Sequence, residues 1–211
     1  MASPIGASGE FDRNERLEDA SGLERLAFFS DAVFAIAITL LALDIRLPVN
    51  SADLTNQQLF DNLVRIWPKY LSFFISFMVI GNFWVAHHRR FRFIIRYDTR
   101  LLLLNLLVLM SIAFIPFPTE VLSESGNRTA TIFYAASISA AGIFSALMWW
   151  YASLKNRLLE DNFDANLARH HLHSILTVPA VFLISIGLAF INPSLAKFSW
   201  LLTAPAAMIV R

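Results

Sequence analysis

The chain has 211 residues, a formal net charge of +1, 56% hydrophobic and 16% charged side chains, and a mean hydropathy of +0.56. A soluble domain is nearer a quarter charged, so this composition excludes an ordinary soluble globular protein, and the near-zero net charge argues against a nucleic-acid binder. Cysteine is absent, which excludes disulfides and thiolate metal centres.

Residues 1–23 carry Glu10, Asp12, Glu15, Glu18 and Asp19 and no apolar run. That is the wrong charge and pattern for a signal peptide. The segment reads as a solvated acidic tail. Ser21 and Glu24 have the spacing of a capping box, which predicts a helix start there. From residue 24 onward hydropathy divides the chain into six spans, near 24–46, 64–86, 99–118, 130–152, 174–191 and 194–210. Each is close to the length that crosses ~30 Å of hydrocarbon.

The first span, RLAFFSDAVFAIAITLLALDIRL at 25–47, holds the most informative residues. Ser30 and Asp31 lie in its first third, and a carboxylate at that depth in lipid requires a partner. At ~100° per residue, Ile36, Leu40 and Leu43 share one helical stripe, with Thr39 at its flank. Asp31 falls roughly 140° away from that stripe. If the acid faces its own chain, the branched stripe faces lipid or further copies of the same helix.

Thr55 and Gln58 form a second capping-box pattern ahead of the second span. That span runs into NFWVAHHRRF at 82–91, where Trp84, His87, His88 and Phe91 share a face if the helix continues. Trp84 and the arginines suit an interfacial belt. The sharper reading is that His87 or an arginine reaches Asp31 or Ser30 near the same membrane boundary. In the third span Asn105 is expected to hydrogen-bond a neighbouring helix, and Pro116 and Pro118 to end or kink it. Residues 148–151, MWWY, have the look of an aromatic belt, and 155–164 is a charged loop. Asn192-Pro193 is a helix-start signal for the last span.

Six spans place both termini on one side. Of the 17 Lys and Arg, five (Arg46, Arg65, Lys69, Arg128 and Lys197) fall on the opposite side and the other twelve on the side of the termini. The positive-inside rule makes the termini cytoplasmic. All five histidines then lie at cytoplasmic ends.

Arg25, Phe29, Ser30 and Asp31 together resemble the RxxxFSD signature of the endolysosomal transmembrane potassium-channel family. The continuation AVFAIAITLLALDI, the NFWVAHHRRF segment and the LLLLNLLVLMSIAFIPFPT run at 101–119 resemble its prokaryotic members, which carry one six-helix repeat. The likeness covers about 23 to 120 in three ordered motifs; the remainder matches in hydropathy. The resemblance implies an all-α, six-transmembrane-helix homotetramer in a plasma membrane, with an acidic cytoplasmic tail at 1–23 and a channel domain at 24–211. It implies that the first helix lines a central pore that passes K+. Ile36 would form the narrowest, gate-like ring, Leu40 and Leu43 further rings, and Thr39 a hydroxyl layer. It also implies a structural network of Arg25, Asp31 and His87, with His88 as a substitute, to which Phe29, Ser30, Trp84 and Asn105 belong.

No TVGYG-like run is present, so carbonyl rings cannot replace the hydration shell of the ion. A ring of Ile36 side chains would hold ions back by dewetting and favour potassium weakly, because potassium sheds water more readily than sodium. Two other classes compete. His87-His88 and His170, His171 and His173 are similar to the histidine boxes of membrane di-iron enzymes, but five histidines are too few and no carboxylate spacing completes a metal site. A secondary transporter usually shows repeats with broken mid-membrane helices, and Gly81, Gly142 and Gly187 are too scattered to indicate them. Neither a cofactor nor a metal is expected.

Overall fold

The computed structural model describes the backbone of residues 5–47, 54–160 and 162–200, and side chains within those segments from residue 19 onward. Among the described residues the architecture is all-helical, apart from one isolated antiparallel bridge between Ile94 and Leu159. Among the described residues, five helical stretches are long and apolar enough to cross a membrane: Asp19–Asp44, Trp67–Phe91, Thr99–Ser125, Arg128–Asn156 and Ala165–Ile191. Of the sixth expected span only the start is described; residues 201–210 lie outside the described residues.

Helix α1 (Ile5–Leu40) runs for 36 residues and closes in a 3-10 turn, Leu41–Asp44. It does not begin anew at Ser21. No proline interrupts the sequence from residue 5 to 40, so the acidic segment from residue 5 continues into the apolar span as one helix. Gly22 sits directly beneath the Tyr97 ring, and Leu23 packs on the core. The tail boundary drawn at residue 23 therefore falls inside a continuous helix.

The box at Thr55 forms in full. The Gln58 N–H donates to Thr55 Oγ1 at 3.3 Å, and the Thr55 N–H donates to Gln58 Oε1 at 2.9 Å. What it caps is a short amphipathic helix, α2 (Asn56–Arg65), rather than a membrane span. Pro68 lies in the first turn of the next helix, where its ring blocks continuation from α2, and α3 (Trp67–Phe91) starts afresh. The span thus begins later than hydropathy placed it and runs through the whole 82–91 motif.

Asp98 caps α4 (Thr99–Phe114), accepting from the Leu101 N–H at 2.8 Å. Pro116 and Pro118 break the rod at Ile115, and α5 (Pro116–Ser125) carries the apolar run on to Gly126, whose φ of 57° ends it in the left-handed conformation that glycine adopts freely. Asn127 caps α6 (Arg128–Ser153) and Asp164 caps α7 (Ala165–Ile191). Asn192, accepting from the Ser194 N–H at 2.8 Å, opens α8 (Pro193–Ser199).

Helix α6 is the packing centre, with Tyr134, Ile138, Met148 and Trp149 fully buried. It meets α7 so closely that a Cβ on Gly142 would lie 2.7 Å from the Pro179 ring. Ser76 Oγ sits 2.9 Å from both Thr119 Oγ1 and Tyr134 Oη, joining α3, α5 and α6 through a buried hydroxyl cluster. Trp149 corrects the belt reading of 148–151: its Nε1–H donates to the Ala168 carbonyl at 2.9 Å inside the core, while its neighbour Trp150 is exposed.

Candidate pore-lining helix and its anchor

Helix α1 has two faces with different fates. Ser30, Phe34, Ala37 and Leu41 recur at helical spacing and are buried against α3 and α4. Ile36, Leu40 and Leu43 are 58%, 40% and 55% exposed. The chain therefore covers one side of α1 and leaves the branched stripe uncovered. Thr39 is exposed beside the stripe, and its hydroxyl donates to the Ile36 carbonyl at 2.9 Å within its own helix.

Two hydrogen bonds hold the buried side. The Trp84 indole N–H of α3 donates to Asp31 Oδ1 at 2.8 Å. Asn105 Nδ2 of α4 donates to Ser30 Oγ at 3.0 Å, and that hydroxyl donates back to the Leu26 carbonyl at 2.8 Å. Adjacent residues of α1 are thus tied to two different helices.

The network differs from the expected one. Asp31 takes its bond from Trp84, not from His87. The His87 imidazole is buried instead between Phe34, with centroids 5.4 Å apart, and Phe91, at 4.4 Å, and neither of its nitrogens has a hydrogen-bond partner among the described residues. His88 is exposed and lies against the Trp84 indole at 5.8 Å. Arg25 and Phe29 are both exposed. At ~100° per residue they fall on the stripe side of α1 rather than beside Asp31, and among the described residues Arg25 forms no ion pair with it. Trp84, read first as a belt residue, is the donor because an indole at that turn reaches the carboxylate while the imidazole one turn on meets Phe34.

A second constellation lies where α3 and α6 end and α4 and α7 begin. The Tyr151 hydroxyl donates to Asp98 Oδ2, and Arg157 Nη1 donates to the Tyr151 oxygen at 3.1 Å with its guanidinium 5.2 Å over the ring. Burial pushes the Asp98 carboxyl up, but the bonds from Tyr151 and the Leu101 N–H, with the charges of Arg157 and Arg100, outweigh it and hold the group below the usual carboxylate range. Sequence reasoning missed this clasp, as it missed the Ser76–Thr119–Tyr134 cluster. The one available signal was Asp98 as a helix cap, which is a local pattern. The histidines do not converge: His171 packs tilted against Phe93 and edge-on to Trp149, each at 5.3 Å, and no group of three metal-ligating side chains forms among the described residues.

The family model for the endosomal/lysosomal potassium channel TMEM175 matches residues 25–116, the stretch that contains both anchors and the stripe. A potassium channel of Streptomyces collinus is 38% identical over 177 residues, which is 81% of this chain and 84% of that protein. The chain belongs to the TMEM175 family. A crystal structure of a lysosomal potassium-selective TMEM175 homolog from Chamaesiphon minutus superposes with a TM-score of 0.79 at 32% identity, covering 90% of this chain and 99% of that one. The endosomal/lysosomal proton channel TMEM175 of Gallus gallus is 29% identical over 87% of this chain and 38% of its own length. TMEM175 proteins are channels, so this chain is not an enzyme, and the histidine-box reading falls.

Proposed function

We propose that four copies of this chain assemble around an axis lined by α1 and conduct potassium in preference to sodium. Ile36 forms the narrowest ring, Leu40 and Leu43 line the path beyond it, and Thr39 tunes ion preference from the flank. The observation that carries this reading is the division of α1: its Ser30, Phe34, Ala37 and Leu41 face is spent on the chain's own helices, and the Ile36 stripe is left uncovered. The names of the prokaryotic relatives, one a potassium channel and one a potassium-selective homolog, supply the ion.

A closed ring of four isoleucines is dry and repels ions by dewetting. When it widens, an ion must still shed part of its water, which favours potassium over sodium modestly. Asp31 acts as an anchor and not as an ion ligand, because its bond to Trp84 turns it away from the stripe. The protein spans a plasma membrane several times with both termini cytoplasmic, a placement supported by the cation asymmetry of its loops.

Flux from purified protein in liposomes tests the reading, with potassium, sodium and proton gradients imposed separately. Potassium flux faster than sodium flux is the expected result. Equal potassium and sodium flux would overturn the preference. Flux of protons alone would reassign the ion to that named for the animal relative. Transport that requires a second solute would make the chain a transporter.

A further inference from the structure

We propose that the basic shelf formed by the α3–α4 and α6–α7 loops binds the phosphate headgroups of anionic phospholipids in the leaflet it faces. The two loops are far apart in sequence and joined in space. The Ile94–Leu159 bridge, the Ile95 N–H to Leu158 carbonyl bond at 2.9 Å, and the Asp98–Tyr151–Arg157 clasp hold them together. Joining them gathers Arg92 and Arg96 from one loop and Arg100 from the start of α4 with Lys155 and Arg157 from the other loop, beside Arg89 at the end of α3. All six are exposed.

Glu160 is exposed in the α6–α7 loop, but the acids nearby leave four of these cations without a close carboxylate. Asp98 is engaged by Tyr151 and by the start of α4, and Asp164 caps α7 through the Asn166 N–H at 2.8 Å. Arg89, Arg92, Arg100 and Lys155 have no carboxylate within 4.0 Å among the described residues; the ion pair there, Lys69–Glu124, is at the other end of the bundle. Exposed arginines offer planar donor forks that match phosphate oxygens. A cluster of four to eight cations beside a membrane span is attracted to anionic headgroups.

What favours lipid over a free anion is the apolar rim. Ile95, Trp150 and Leu154 are exposed among the same cations, and Trp150 follows the buried Trp149 at the end of α6. Indole and branched side chains beside guanidinium groups suit the boundary between headgroups and acyl chains. The inference goes beyond potassium conduction and requires only that the chain crosses a bilayer.

The test uses the full chain in detergent, with phosphatidylglycerol or phosphatidylcholine added, reading the melting temperature and, by native mass spectrometry, the lipid retained. Phosphatidylglycerol should raise the melting temperature by several degrees and be retained in preference to phosphatidylcholine. Roughly 0.5 M salt should abolish most of that difference. The triple variant R89Q/R92Q/K155Q should lose the preference, and R89K/R92K should keep it. Equal retention of the two lipids, or full preference in the triple glutamine variant, would overturn the proposal. Stabilisation by inorganic phosphate alone, with no lipid preference, would also overturn it. If the triple variant fails to fold, the salt series on the unaltered chain decides.

Discussion

Replacing Trp84 with Phe isolates the bond that positions α1. One aromatic ring is kept, but the indole N–H that sits 2.8 Å from Asp31 is removed. A side-chain hydrogen bond contributes about 0.5–1.5 kcal/mol net. Trp84 is 38% exposed and so mostly covered, and the packing lost with the second ring adds about 1 kcal/mol. The expected loss is therefore about 2 kcal/mol, more than tenfold in the folding equilibrium. Unfolding by SDS titration in mixed micelles measures it, for the unaltered chain, W84F, D31A and the double variant. The cycle gives a coupling of about 1 kcal/mol, because removing Asp31 abolishes the cost of removing the indole N–H. Single-variant losses that add to within about 0.5 kcal/mol would refute the reasoning.

Gly142→Ala should destabilise by about 1–3 kcal/mol, since the new methyl would press on the Pro179 ring at a helix contact with no room to open; the same SDS titration checks it, with Gly187→Ala, where nothing lies within 4 Å, as the comparison. For Asp98, whose carboxyl is held below its usual range, the folded state gains stability that is fully present above the unfolded value near about 4 and is lost as pH falls through the lower folded value. The melting temperatures of the unaltered chain and of D98N should therefore converge as pH is lowered from about 6 to about 3, and a constant gap would contradict the clasp.

Local patterns were the legible part of this molecule. The Thr55–Gln58 box, the Asn192-Pro193 start and the proline break after α4 depend on neighbours within four residues, so their chemistry is written in the sequence. That Asp31 needs a partner was legible too, because it is a carboxylate inside an apolar run. Its partner was not. Trp84 and His87 are one helical turn apart, and only the packing of Phe34 decides which of them meets the carboxylate. The adjacent Trp149 and Trp150 have the same composition and opposite fates, decided by where α7 presents the Ala168 carbonyl. The Ser76–Thr119–Tyr134 cluster joins residues 43 and 58 positions apart, a separation at which no periodicity carries information. Ser21 shows the converse failure: a correct local cap pattern was overridden because the helix simply runs through it.

The central claim is that the uncovered stripe of α1 lines the ion path, and single-channel recording of Ile36→Asn in planar bilayers tests it most directly. An asparagine ring is wet and presents amide oxygens, so the barrier to ion entry falls. The account predicts a larger unitary current and a reversal potential moved toward zero under opposed potassium and sodium gradients, with assembly intact by crosslinking. An unchanged current and reversal potential in an intact assembly would return Ile36 to the lipid-facing surface and contradict the account.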